Sequence, residues 1–159
     1  MFISPFYIEE SMDKELLLER LKGLIDEKVS IAWNAMQAAQ ASANEESKSS
    51  AGDKYETGRA MAQNERDRYA QQYELLRQER LQLERKELTL SCQKGELGAL
   101  IQANEEWFFI AISIGALEVE ATKVFVISPG SPIGAQLLHK RVGESFLFNR
   151  KTYQIHSVS

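Results

Sequence analysis

The sequence predicts an α+β protein in which a long antiparallel helical hairpin precedes a small antiparallel β domain with one short helix. Three observations lead to this fold class. Apolar residues recur at intervals of three and four along the first arm of the hairpin, and the second arm carries a heptad repeat. Aromatic and β-branched residues crowd instead into residues 107–158, where they favour strands. The two parts of the chain therefore follow different packing rules.

The first arm is predicted to be one helix from Asp13 onward, because its apolar residues fall on a single stripe. That stripe consists of Leu18, Leu21, Ile25, Val29, Ala32, Met36, Ala39 and Ala43. The large side chains come first and the alanines come last. We therefore expect the hairpin to be slimmest where the chain turns.

The second arm repeats its apolar residues every seven positions, which predicts coiled-coil pairing with the first arm. These residues are Tyr55, Ala62, Tyr69, Leu76, Leu83 and Leu90. Residues 44–52 lose the period and gain Ser, Asn and Gly, which favour a reversal of the chain. We place the antiparallel coiled-coil hairpin at residues 12–93, with its tip near 47–56 and arms of roughly 50 Å.

Residues 94–159 are predicted to form the β domain. The expected strands lie at 99–101, 107–112, within 117–127, at 146–148 and at 153–158. One short helix interrupts them: Ser131 can cap it, Pro132 suits its first position, and Val142-Gly143 ends it. Ile133, Leu137 and Leu138 supply its buried face.

Composition excludes several classes of function. The chain has a net charge of −4 and a pI near 5.3, whereas proteins that bind duplex nucleic acid are usually basic. DNA binding is therefore not expected. The single cysteine, Cys92, cannot form an internal disulfide, which fits a reducing cytoplasm. No segment is apolar enough to span a membrane. Residues 1–11 lack the features of a signal peptide, and we interpret them as a flexible extension or a misassigned start.

The β domain carries a recognisable motif, ISPGSPIG at residues 127–134. It is followed by Leu137-Leu138, Lys140, Val142-Gly143-Glu144 and the closing Tyr153-Gln154-Ile155. This pattern resembles the C-terminal domain of the GreA/GreB family of bacterial transcript cleavage factors, which has an FKBP-like fold. The order of the two modules, coiled coil first and β domain second, also matches that family from Met12 to the end. The resemblance implies an FKBP-like domain at residues 94–159.

The predicted tip reads Gly52-Asp53-Lys54-Tyr55-Glu56. The family carries an Asp-x-x-Glu pair directly after a glycine, so the resemblance implies that Asp53 and Glu56 are the catalytic, metal-binding residues. They would help hold a magnesium ion (Mg2+) shared with the RNA polymerase active site, and stable binding by this chain alone is not expected because two carboxylates leave most ligand positions open. The residues that would support this tip are Glu45, Glu46, Gly52 and Tyr55.

The function implied by the resemblance is that of a Gre-type transcription elongation factor. Its coiled coil would enter the secondary channel of bacterial RNA polymerase and stimulate cleavage of backtracked RNA. The 3′ end of the nascent RNA would be an indirect partner, reached through the polymerase. The chain would be an accessory factor rather than an enzyme by itself. Candidate polymerase contacts are Ser131, Pro132, Gln136 and Lys140. We expect a monomer, since the hairpin can bury its own apolar stripe.

Three alternatives stay open at this stage. A Gre-like channel regulator or inhibitor would bind polymerase without promoting cleavage. A prolyl isomerase would use the β domain, although fold similarity alone does not establish that activity. A structural coiled-coil adaptor would use only the hairpin. The alternative to a metal role for Asp53 and Glu56 is that they interact favourably with the dipole at a helix N-terminus.

Overall fold

The computed structural model describes residues 12–46 and 53–159, apart from the side chains at positions 46 and 53–55. The chain divides into two compact units. The hairpin unit is Leu21–Leu88, and the sheet unit combines the described residues up to Arg20 with Thr89–Ser159. The predicted extension at 1–11 and most of the predicted turn lie outside the described residues.

Two long helices form the hairpin, as predicted. Helix α1 spans Lys14–Glu46 and helix α2 spans Asp53–Gln82, with 33 and 30 residues. At ~1.5 Å per residue they are roughly 50 and 45 Å long. Asp13 caps α1, because its Oδ1 accepts hydrogen bonds from the backbone N–H groups of Glu15 (3.0 Å) and Leu16 (3.3 Å). Every residue of the predicted α1 stripe is buried or half-buried.

The two helices pair antiparallel in one constant register. Three of the observed side-chain contacts join them: Asp26 with Arg80, Trp33 with Tyr73, and Gln40 with Arg66. A fourth contact, between Lys22 and Glu84 just beyond α2, continues the series. Each step forward along α1 is matched by an equal step backward along the second arm. The register is therefore kept from one end of this contact series to the other, as the heptad pattern requires.

The second arm departs from its heptad at the end. Ala62 and Leu83 are buried, and Tyr69 and Leu76 are half-buried, but α2 ends at Gln82. The backbone N–H groups of Leu83, Glu84 and Arg85 bond carbonyls three residues back, and a 3₁₀ turn follows at Lys86–Leu88. This tighter winding buries Leu88 and leaves Leu90 57% exposed outside the helix.

Six strands form one sheet in the sheet unit. They are β1 (Leu100–Ala103), β2 (Glu106–Ile110), β3 (Gly115–Val119), β4 (Thr122–Ile127), β5 (Ser145–Phe148) and β6 (Lys151–Val158), in the spatial order β3-β4-β2-β1-β6-β5. Four neighbouring pairs are antiparallel, whereas β2 and β4 run parallel. The prediction of a purely antiparallel sheet was wrong at this pair. The chain reaches the outer strand β3 first and returns as β4, which places β4 beside β2 in the same direction.

Two tight turns join neighbouring strands, and one of them divides a run that was predicted as continuous. Glu120 and Ala121 have positive φ angles of 48° and 65°, and they split the predicted 117–127 run into β3 and β4. Asn149 and Arg150 adopt the same conformation, with φ of 49° and 64°, between β5 and β6. Two successive residues with positive φ make the hairpin turn whose twist matches that of the flanking strands.

A short helix, α3 (Pro132–Leu137), packs against β5. Ser131 caps it as predicted: its Oγ accepts from the backbone N–H of Gly134 (3.1 Å) and donates to the carbonyl of Ser128 (2.8 Å). The helix ends at Leu137 rather than near Val142. The buried core on this side of the sheet includes Tyr153, whose ring contacts the rings of Phe146 and Phe108 with centroids 5.0 and 5.9 Å apart.

Gly134 is expected to be intolerant of any side chain. A Cβ there would lie 2.1 Å from the carbonyl oxygen of Ser128 and 2.8 Å from Ser131 Oγ. We expect Gly134→Ala to lower the free energy of unfolding by about 1–3 kcal/mol, the usual cost of overpacking, as measured by urea denaturation. Gly130 is the matched control, because a Cβ there meets nothing within 4 Å. Equal stabilities of Gly134→Ala and Gly130→Ala would contradict this close packing.

Among the helices that the structure describes, none is both long and apolar enough to cross a membrane.

Candidate functional site

The candidate site lies at the start of α2. Asp53 is the first residue of that helix, and position 56 follows three residues later in its first turn. Residues three apart in a helix lie on the same face, so the backbone puts positions 53 and 56 on one face. The Glu56 side chain is exposed. A helix N-terminus also favours negative charge, which suits two carboxylates at these positions.

The supporting residues predicted around this pair are only partly described. Glu45 is exposed in the last turn of α1. Gly52 lies outside the described residues, and so do the side chains of Glu46 and Tyr55. The structure therefore places positions 53 and 56 on one helical turn.

Carboxylate oxygens at positions 53 and 56 have the right chemistry for magnesium, which is a hard cation that prefers oxygen ligands. Two residues on one helical turn fit the part of a ligand set that this chain would supply. Within residues 12–46 and 53–159, no group of three or more His, Cys, Asp or Glu side chains is placed to hold a metal ion.

Small residues line the contact between the helices near this end of the hairpin. Ala39 and Ala43 of α1 and Ala62 of α2 are all buried, with exposed fractions of 5–8%. Larger side chains such as Ile25 and Leu83 fill the equivalent positions toward the other end. Because alanine lets helix backbones approach closely, this distribution supports the prediction of a slim end.

Charged side chains toward the C-terminal end of α2 are engaged with one another. Arg80 donates to Asp26 across the hairpin and to Glu84 just beyond the end of α2, both at 2.7 Å. Hydrogen bonds from Arg77 and Gln78 lower the pKa of Glu74 to about 2, and a hydrogen bond from Arg80 lowers the pKa of Glu84. Our sequence reasoning missed this network, although the four-residue spacing of Arg80 and Glu84 was a usable signal.

The candidate contact residues of the sheet unit divide into two groups. Pro132 and Gln136 are exposed, and their spacing of four residues puts them on one face of α3. Ser131 is occupied as the helix cap. Lys140 is half-buried, and its backbone carbonyl accepts from Gly95 (2.8 Å). The exposed pair is therefore better placed for contact with a partner than the other two.

Comparison of this chain with protein-family models, with curated proteins and with solved structures gave no match.

Proposed function

We propose that this protein is a Gre-type transcription elongation factor that stimulates cleavage of backtracked RNA by bacterial RNA polymerase. In this proposal the hairpin enters the secondary channel and brings Asp53 and Glu56 to the polymerase active site. The sheet unit, taken as FKBP-like, binds the polymerase exterior. The resemblance of the tip and of the ISPGSPIG motif to the GreA/GreB family supports this assignment.

The observation that carries the proposal is the hairpin itself. Two helices of roughly 50 and 45 Å stay in one register, and α2 begins at the acidic pair. Alanines at the contact keep that end slim, while larger residues pack the opposite end. Such a hairpin can reach into a narrow opening and present carboxylates deep inside it.

The chemistry then depends on the carboxylates of this chain and on groups of the polymerase. Asp53 and Glu56 supply two negatively charged oxygen donors from one helical turn, where the helix holds them at a fixed spacing. Together with polymerase residues, they would hold a magnesium ion, which would supply activation of water and stabilisation of the leaving oxygen of the phosphodiester. Since the remaining ligands come from the polymerase, the protein alone is expected to be inactive.

The test is RNA cleavage by a stalled, backtracked polymerase complex with magnesium, in the presence and absence of this protein. Acceleration by the protein is the expected result. Polymerase binding is measured in parallel by fluorescence anisotropy of the labelled protein. Binding without acceleration would favour the alternative of a Gre-like regulator or inhibitor, and absence of binding would overturn both.

A further inference from the structure

Strand β5 forms one outer edge of the sheet. It follows β6 at the end of the strand order, and no other described strand lies beside it. Outer strands expose backbone groups to which an additional strand can pair. Only backbone groups of β5 that point away from β6 can form such a pair.

The hydrogen bonds of β6 show which groups of β5 point away from it. The N–H of Ile155 donates to Glu144 on the β5 side (2.9 Å), whereas the backbone groups of Gln154 bond Asn104 on the opposite side. Hydrogen-bonded and non-hydrogen-bonded pairs alternate along an antiparallel ladder. Ser145 and Leu147, which pair with Gln154 and Thr152, therefore direct their N–H and C=O groups away from β6.

The side chains at this edge indicate what kind of strand fits. Leu147 is 63% exposed, so an apolar side chain already stands at the edge. Arg141 precedes β5 and Arg150 follows it, and both are exposed without an ion pair to any described residue. The nearby carboxylate of Glu144 accepts a hydrogen bond from the backbone N–H of Arg141 (3.3 Å). Positive charge thus flanks both ends of β5, whose outer edge is not paired with any described strand.

We propose that β5 accepts an extended segment of a partner protein as a seventh strand, and that this segment is apolar with acidic residues at its ends. The backbone of Ser145 and Leu147 would supply the ladder bonds, and Arg141 and Arg150 would meet the acidic ends. The assignment of this segment to RNA polymerase rests on the proposed function. The proposal that β5 is a pairing edge, meaning an edge that accepts a further strand, rests on three observations. These are the strand order, the direction of the backbone groups of Ser145 and Leu147, and the flanking charges.

The first arm of the test uses a short probe peptide of alternating Val and Thr flanked by Asp, together with its Lys-flanked counterpart. The Asp-flanked peptide is expected to shift the amide resonances of Ser145 and Leu147 and to bind about tenfold more tightly than the Lys-flanked peptide. Equal binding of the two peptides, or shifts confined to other strands, would overturn the proposal.

Two variants locate the binding. Leu147→Pro removes an N–H that points away from β6, so it should lower the affinity for the Asp-flanked peptide about tenfold. Ala116→Pro is the matched control, since Ala116 lies in the opposite outer strand, β3, at a position that pairs with Phe125. If Leu147→Pro fails to fold, Arg141→Glu/Arg150→Glu provides the same test, with the exposed pair Arg20→Glu/Lys28→Glu as its control. Unchanged affinity in the Arg141/Arg150 variant would refute the role of the flanking charges.

The second arm measures polymerase affinity for the wild type, Leu147→Pro and Ala116→Pro. A loss of about tenfold in Leu147→Pro alone would identify the polymerase as the source of the added strand. If all three proteins bind polymerase with equal affinity, the polymerase does not supply the added strand. If the wild type binds the peptide at β5 but does not bind polymerase, the proposed function fails while the pairing edge stands.

Discussion

Replacing Asp53 and Glu56 together with alanine is expected to abolish the stimulation of RNA cleavage while leaving polymerase affinity unchanged. Both positions lie in the first turn of α2, ahead of Ala62, the first buried residue that we observe in the contact between the helices. Loss of a group that stabilises developing charge typically costs about 10²–10³ in rate. We therefore expect a reduction of at least about 100-fold in the cleavage rate of a backtracked complex.

The matched control removes two carboxylates from elsewhere on the same helix. Asp67→Ala/Glu74→Ala changes the net charge equally, and both side chains are exposed on α2. Position 67 lies roughly 20 Å beyond Asp53 along the helix axis. With this control variant, the polymerase should cleave backtracked RNA at the same rate as with the wild-type protein. A control variant that loses as much activity as the Asp53/Glu56 variant would show that general negative charge, rather than the pair at the start of α2, is responsible.

Sequence periodicity was sufficient to predict the hairpin. An apolar stripe such as Ile25, Ala32 and Ala39 is stable when it is buried, and here a second helix with a matching repeat buries it. Local signals also predicted the cap at Ser131, because a hydroxyl followed by proline suits the start of a helix. These predictions succeeded because each depends on interactions between residues close in sequence or on a repeat that extends over many turns.

The strand pairing could not be predicted in the same way. Glu120-Ala121 is not a recognisable turn sequence, yet both residues adopt positive φ, and the structure offsets their strain through the β3–β4 ladder. The parallel pairing of β2 with β4 depends on which strand reaches the sheet edge first. That choice is set by long-range packing, and no local signal in residues 111–121 encodes it.

The candidate site was predicted only from resemblance. An acidic pair spaced like Asp53 and Glu56 is common at helix N-termini for purely electrostatic reasons, so spacing alone does not distinguish a metal ligand from a favourable helix end. The structure adds that α2 begins at Asp53 and that Glu56 is exposed. The ion-paired residues along the hairpin were missed because a cross-helix partner such as Asp26 for Arg80 requires the register to be known.

Truncating Phe109 is expected to have the largest effect on stability. Phe109 is fully buried in the centre of the sheet, where β2 places it opposite Leu100 of β1 and Val126 of β4. These two neighbours are also fully buried, so little movement is available to fill the space that the ring would leave. We expect Phe109→Ala to lower the free energy of unfolding by about 3–5 kcal/mol, which urea denaturation followed by near-ultraviolet circular dichroism would measure.

Leu147→Ala is the control for this prediction, because it also removes a large apolar side chain from the same sheet. Leu147 is 63% exposed, so its truncation should change the free energy of unfolding by no more than about 0.5 kcal/mol. The difference between the two variants separates burial from the loss of apolar atoms alone. If Phe109→Ala cost less than about 1 kcal/mol, the centre of the sheet would have to collapse around the missing ring, and the tight packing at β1, β2 and β4 would be wrong.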